Sequence, residues 1–206
     1  MIKNWIIITL VLLTIGCDQK PKKNIIDVNS RQVEIDFAHI SISLPKHFYR
    51  SSTEELTYAI ENADSSEISE SDRLERLDQI ETFRLNSLGV KYYLYLDTTD
   101  INNTIIFRKG KYLKLDKAAQ QYILSDTERS LKSREDDINF KRLDTQFFTG
   151  EELQILKQKF EVNRPEWISY TTLYIVTTRS NTFQIIVERT DEEDYEDRVT
   201  KIRVDY

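Results

Sequence analysis

The sequence predicts an α+β fold, a mainly antiparallel β-sheet with three or four helices packed on it. Three observations carry that reading. Apolar and polar residues alternate over short runs, the period of a half-buried strand. Capping signals followed by apolar residues at helical spacing lie between those runs. The strand connections are short and rich in turn residues, and strands joined that way pair antiparallel.

The elements follow in order. Val33, Ile35 and Phe37 alternate with Glu34 and Asp36, then Ile40, Ile42 and Leu44 with Ser41 and Ser43. The phase slips between Phe37 and Ile40, so a turn or bulge is expected near Ala38-His39. Pro45 ends the second strand because it has no amide hydrogen to donate. Ser52-Thr53-Glu54-Glu55 is a capping box, and Leu56, Ala59, Ile60 and Ala63 follow it at helical spacing. The polar stretch 63–72 reads as a loop, and Leu74, Leu77 and Ile80 as one or two further helical turns.

Residues 91–96 are rich in tyrosine and leucine and suit a strand; 97–103 supply turn chemistry, and 104–107 return. Asp116 caps a helix carrying Ala119, Tyr122, Ile123 and Leu131. Segments 140–148 and 153–162 read as strands around a turn at Gly150. Ile168, Tyr170, Thr172, Tyr174 and Val176 alternate, Arg179-Ser180-Asn181 turns, and Phe183, Ile185 and Val187 come back. Thr190-Asp191-Glu192-Glu193 reads as a second capping box, opening a C-terminal helix with Tyr195, Val199 and Ile202.

The chain has 206 residues, enough for one domain with a core of its own. Its 9 Phe, 11 Tyr and 2 Trp argue against overall disorder, and 4 Gly with 3 Pro exclude collagen-like and proline-rich classes. The start is distinct. Lys3 precedes an uncharged, mainly apolar run from Trp5 to Ile15, followed by Gly16 and the single cysteine, Cys17. A spanning helix needs about 20 apolar residues, whereas this run has the length of a secretory signal core.

Leu13-Thr14-Ile15-Gly16-Cys17 resembles the lipobox of bacterial lipoprotein precursors. The resemblance implies that Cys17 is acylated, that the signal is cut before it, and that the chain is held at a membrane of the cell envelope. It divides the chain into a signal peptide, 1–16, a lipidated Cys and polar tether, 17–30, and a single α+β domain, 31–206. The element order is also similar to the PsbP-like α/β/α sandwich. That likeness rests on Ile40-Ser41-Ile42-Ser43-Leu44-Pro45 with Phe48, the helix from Asp116, and the late strand pair before a final helix. The fold would not fix an activity.

Catalytic and cofactor patterns are missing. The two histidines, His39 and His47, have no ligand spacing for zinc, and no G-x-S-x-G elbow appears. Gly16, Gly89, Gly110 and Gly150 stand singly, so no phosphate-cradling loop is written. No cofactor and no metal site is expected. Nucleic acid is an unsuitable partner for a chain of net charge −6 without a basic stripe. Arg108-Lys109-Gly110-Lys111 is a basic turn between a strand and a helix.

The sharpest charge feature is acidic. Residues 51–80 hold nine carboxylates against Arg73 and Arg76, a local charge of −7. Glu54, Glu55, Glu61, Glu67, Glu70 and Asp72 are therefore the candidate contact residues for a basic protein partner. Asp191-Glu192-Glu193-Asp194 with Glu196 and Asp197 is a second acidic cluster, read as carboxylates opposing a helix dipole. Together these features suggest a lipid-anchored, non-enzymatic binding or assembly module of the cell envelope. A protective lipoprotein against a basic toxin and an envelope hydrolase without a readable motif are the alternatives.

Overall fold

The structure, a computed structural model, describes residues 29–64, 68–132, 139–163 and 168–205. The leader, Cys17, most of the tether, Glu67 and Pro165 lie outside the described residues. Two sheets form, and every pairing among the described residues is antiparallel. The small sheet holds β1 (Ser30–Ile35), β2 (Ile40–Pro45) and β10 (Arg203–Val204) in the order β1-β2-β10. The large sheet holds β3 (Phe48–Ser51), β4 (Tyr92–Asp97), β5 (Thr104–Lys109), β6 (Asn139–Thr149), β7 (Leu153–Asn163), β8 (Ile168–Thr178) and β9 (Thr182–Arg189). Its order is β3-β4-β5-β9-β8-β7-β6.

Alternation along the large sheet sorts side chains to two faces. Tyr95, Phe107, Ile155, Tyr174, Val176, Phe183, Ile185 and Val187 point to one face and pack with Ile35, Ile40, Ile42 and Leu44 of the small sheet. Leu94 and Leu96 point to the other, where they meet Leu56 and Ile60 of α1 (Thr53–Glu61). Leu77 and Ile80 of α2 (Glu70–Asn86) sit partly buried on that cluster. On the same face Leu156 and Ile175 pack against Leu115 and Ile123, the latter on α3 (Lys117–Lys132). The one-turn helix α4 (Glu196–Val199) buries Val199 on the small-sheet side.

Much of the expected order is present. The phase slip after Phe37 is a 3-10 turn, Asp36–Ala38, closed by His39 in the left-handed region at φ 51°. The capping box at Ser52 forms in full: Ser52 Oγ accepts from Glu55 N at 3.1 Å, and the Glu55 carboxylate accepts from Ser52 N at 3.1 Å. Tyr95 and Tyr174 are core residues.

Four expectations are corrected, and the strand β3 was not expected. The stretch 63–72 is not all loop, because Ser69 caps α2 and accepts from Asp72 N at 3.2 Å. α2 then runs for 17 residues, far beyond the one or two turns expected, although none of its residues is buried. The strand β3 carries no sequence signal, since only Phe48 of its four residues is buried. The box at Thr190 does not form. Glu193 N donates to Asp191 at 3.1 Å instead, and Thr190 Oγ1 is committed to Asp100 at 2.8 Å. The C-terminal helix therefore shrinks to one turn, entered through Tyr195 at φ 60°, and the chain closes as β10 on β2.

Candidate functional site

The acidic segment becomes the α1–α2 layer. α1 ends without a basic residue in its last turn. Arg73 of α2 supplies that cation, donating to Glu61 O at 2.7 Å and to Ala63 O at 2.9 Å. The arginine thus ties the two helices together.

Several carboxylates are engaged locally. Glu55 closes the capping box and also accepts from Ser51 Oγ at 2.6 Å. Asp72 accepts from Ser69 Oγ at 2.8 Å. Glu70 lies 3.5 Å from Arg73, and Glu75 accepts from Gln79 at 2.6 Å. Glu81 takes a fork of two bonds from Arg84, at 2.8 and 2.7 Å, which holds its carboxyl below the usual range. Glu54 is lowered too, through its own backbone amide at the helix start and then the Ser52 hydroxyl. Glu54, Glu55, Glu61 and Glu70 are exposed and Asp72 is half-buried, so the structure brings five of the six candidates into one layer. Glu67 is the sixth.

Exposed leucines are the part the sequence reading missed. Leu74, Leu85 and Leu88 are 60%, 55% and 72% exposed. Leu74, Asp78, Glu81 and Leu85 fall at i, i+4, i+7 and i+11, one stripe of a helix, and all four are exposed. The inward stripe uses Leu77, Ile80 and Phe83, the last edge-on to Tyr92 at 5.0 Å. The eleven-residue spacing of Leu74 and Leu85 was the readable signal for the second stripe.

The second acidic cluster behaves differently. Lys157 and Lys159 point to the small-sheet side of β7, opposite Tyr174 and Thr172. Lys157 is 2% exposed, and its ammonium lies 2.6 Å from Glu196, 2.7 Å from Asp194 and 3.1 Å from Asp144. Burial works to lower its pKa, but hydrogen bonds to Asp194, Glu196 and Asp144 outweigh it and raise the group above the ordinary lysine range. Burial likewise works to raise Asp194, and Lys157 overcomes it, so Asp194 stays below the usual carboxylate range. Tyr174 donates to Asp194 O, Lys159 to Glu192 O. Arg189 holds Asp191 through two 2.6 Å bonds and Tyr195 Oη through a third. This cluster is a latch fastening 191–196 to the sheet; of the helix-start carboxylates that its sequence suggested, Glu196 and Asp197 do stand in the first turn of α4, while Asp191 to Asp194 precede it.

The histidines serve local roles. His39 forms the turn after Phe37, and His47 stacks near Phe48 with Nε2 3.7 Å from Asp97. Burial works to raise Asp97, yet bonds from Thr99 and Asn103 outweigh it and hold the carboxyl low. A recess of about 420 Å³ lies beside the register shift of β6, at Arg142–Thr145. Another of about 230 Å³ lies between Ala38-His39, Ser180-Asn181 and Val204-Asp205. Among the described residues no group of three or more His, Cys, Asp or Glu side chains could hold a metal ion, and no helix is long and apolar enough to cross a membrane.

No family model matches the sequence, and no curated protein matches it. Solved structures resemble it in fold. The solution structure of cyanobacterial PsbP (CyanoP) from Synechocystis sp. PCC 6803 aligns at a TM-score of 0.54 with 7% identity, covering 85% of this chain and 92% of that one. The Ran-binding protein Mog1p of Saccharomyces cerevisiae aligns at 0.47 with 12% identity, covering 85% and 95%. The fold is therefore similar to that of CyanoP, as the strand and helix order suggested.

Proposed function

We propose that the chain is a lipid-anchored binding or assembly module of the cell envelope, with the α1–α2 layer as its docking face for a basic protein segment. One observation carries the docking face. α2 has no buried residue, yet it presents Leu74 and Leu85 to solvent in line with Asp78 and Glu81. Leucines among carboxylates match an amphipathic basic helix, whose apolar side would cover the leucines while its cations meet the acids. The anchor is supported by the lipobox-like residues before Cys17. Two or more acyl chains there would hold the module stably, since each buried methylene adds about 0.8 kcal/mol.

Two measurements test this. Fatty-acid labelling in the native cell should mark the chain, and Cys17→Ser should abolish the mark and release the protein from membranes; a labelled Cys17→Ser chain removes the anchor. A photo-crosslinker in place of Leu85 should give one discrete adduct, which Glu70→Gln, Glu75→Gln, Asp78→Asn and Glu81→Gln together abolish. A crosslinker replacing Tyr122, an exposed residue of α3, is the control. Equal adducts from both positions remove α2 as the docking face.

A further inference from the structure

The basic turn noted in the sequence belongs to a larger segment. Residues 108–117 carry Arg108, Lys109, Lys111, Lys114 and Lys117 against one acid, Asp116. That acid is engaged at the start of α3, accepting from Ala119 N at 2.9 Å. Lys109, Lys111, Lys114 and Lys117 are all exposed. Between them Tyr112 is 58% and Leu113 38% exposed.

This exposure is built in, because the backbone beneath is pinned. Gly110 N donates to Thr182 O at 2.9 Å, and a β-carbon at 110 would stand only 3.1 Å from that oxygen. Leu113 N donates to Thr182 Oγ1 at 2.9 Å, and Leu113 O accepts from Thr177 Oγ1 at 2.9 Å. Thr177 and Thr182 are buried, and Leu115 is buried in the cluster under α3. The fold therefore holds a tyrosine and a leucine outward among four lysines, where a loop free to collapse would cover them.

We propose that this loop seats on an anionic bilayer surface, as a contact separate from any acyl chain. Tyrosine, with an apolar ring and a polar tip, suits the headgroup boundary. Lysine stems can lie along that boundary while their ammonium groups reach the phosphates. Lys109, Lys111, Lys114 and Lys117 bracket Tyr112-Leu113, so sinking the pair brings all four cations to the phosphates together. This bracketing favours a bilayer over an acidic polypeptide. Each lysine at an anionic leaflet strengthens partition by about fivefold.

The chain's path is compatible with the contact. Asn29 O accepts from Lys46 N beside β3, whose Phe48 pairs with Asp97 at one end of β4. Lys109 N bonds Lys91 O at the other end of β4, roughly 20 Å away. Eleven residues, the number from 18 to 28, can span at most about 36 Å, so a lipid at Cys17 would leave the loop free to reach the same membrane.

The test uses the full chain carrying Cys17→Ser, so that acylation contributes nothing. Its partition into phosphatidylcholine vesicles with about 30% phosphatidylglycerol is compared with that of the same chain bearing Lys109→Gln, Lys111→Gln, Lys114→Gln and Lys117→Gln. The lysine-free loop should bind these vesicles more than tenfold less tightly, while the two chains bind pure phosphatidylcholine alike. In a second measurement, a chain carrying Tyr112→Trp with Trp5→Phe and Trp167→Phe, so that position 112 holds the one tryptophan, should show a blue shift with anionic vesicles that is reversed on raising salt to about 500 mM. Equal binding of both chains to anionic vesicles overturns the proposal. So does emission from the Tyr112→Trp chain that ignores vesicles but shifts with poly-glutamate, which would point to an acidic polypeptide.

Discussion

The two acidic clusters are built from the same residue types and meet opposite fates. In the α1–α2 layer the carboxylates stay at the surface, and their partners are neighbours in sequence, such as Ser52, Ser69, Gln79 and Arg84. At 191–196 the carboxylates close over Lys157, Lys159 and Arg189, cations supplied by strands of the large sheet. The first arrangement leaves a face available to a partner. The second commits its charges to cations that the sheet has buried. An acidic run is thus a surface or a latch according to whether the structure presents buried cations to it.

The largest test of that contrast is Lys157→Ala. Removing a buried cation leaves Asp144 and Glu196 without it and Asp194 with only Lys159, 3.8 Å away, and urea unfolding should show a loss of about 3 kcal/mol. The pH dependence follows from the shifts. Asp194 is depressed when folded, so its contribution is present above the unfolded value near 3.8 and is lost as pH falls through the folded one. Lys157 is raised, so its contribution is complete below 10.5 and is lost only as pH rises through the higher folded value. The stability gap between parent and Lys157→Ala should stay flat from about pH 5 to about pH 10 and close in acid. A gap that persists in acid would mean that packing of the lysine stem, not its charge, holds the latch.

Smaller effects sharpen the comparison. Tyr174→Phe deletes the donor to Asp194 O and should cost about 1 kcal/mol in the same assay. Ser52→Ala removes one half of the capping box on the surface layer, also at about 1 kcal/mol or slightly less. Neutralising Glu70, Glu75, Asp78 and Glu81 together should shift stability least, by about 0.5 kcal/mol or less, because exposed pairs contribute little. A loss of several kcal/mol there would make α1–α2 a second latch and withdraw it as a docking face.

Local features were legible. The Ser52 box, the slip after Phe37 and the alternation of β8 and β9 are each written within about ten residues, the range over which helical and strand periods act. α2 was legible only in part, because its inward stripe of Leu77, Ile80 and Phe83 is thin and its outward leucines blur the period. β3 and β10 were not legible: four and two residues are too few for a pattern, and β10 exists because β2 offers an edge. The capping box read at Thr190 misled because Asp100 and Asn103, from the turn before β5, compete for the threonine.

By itself the sequence determined the α+β class, most strand and helix starts, the two acidic clusters, and the apolar run that precedes Gly16-Cys17. Tertiary structure alone decided that 191–196 is fastened to the sheet by the buried Lys157 and Arg189, whereas α2 buries none of its residues. It also decided that Tyr112 and Leu113 stand outward over Thr177 and Thr182. The physical reason is range. Periods and caps act between near neighbours, whereas Lys157 meets Glu196 across 39 residues, and only the position of β7 in the sheet fixes which side that ammonium faces.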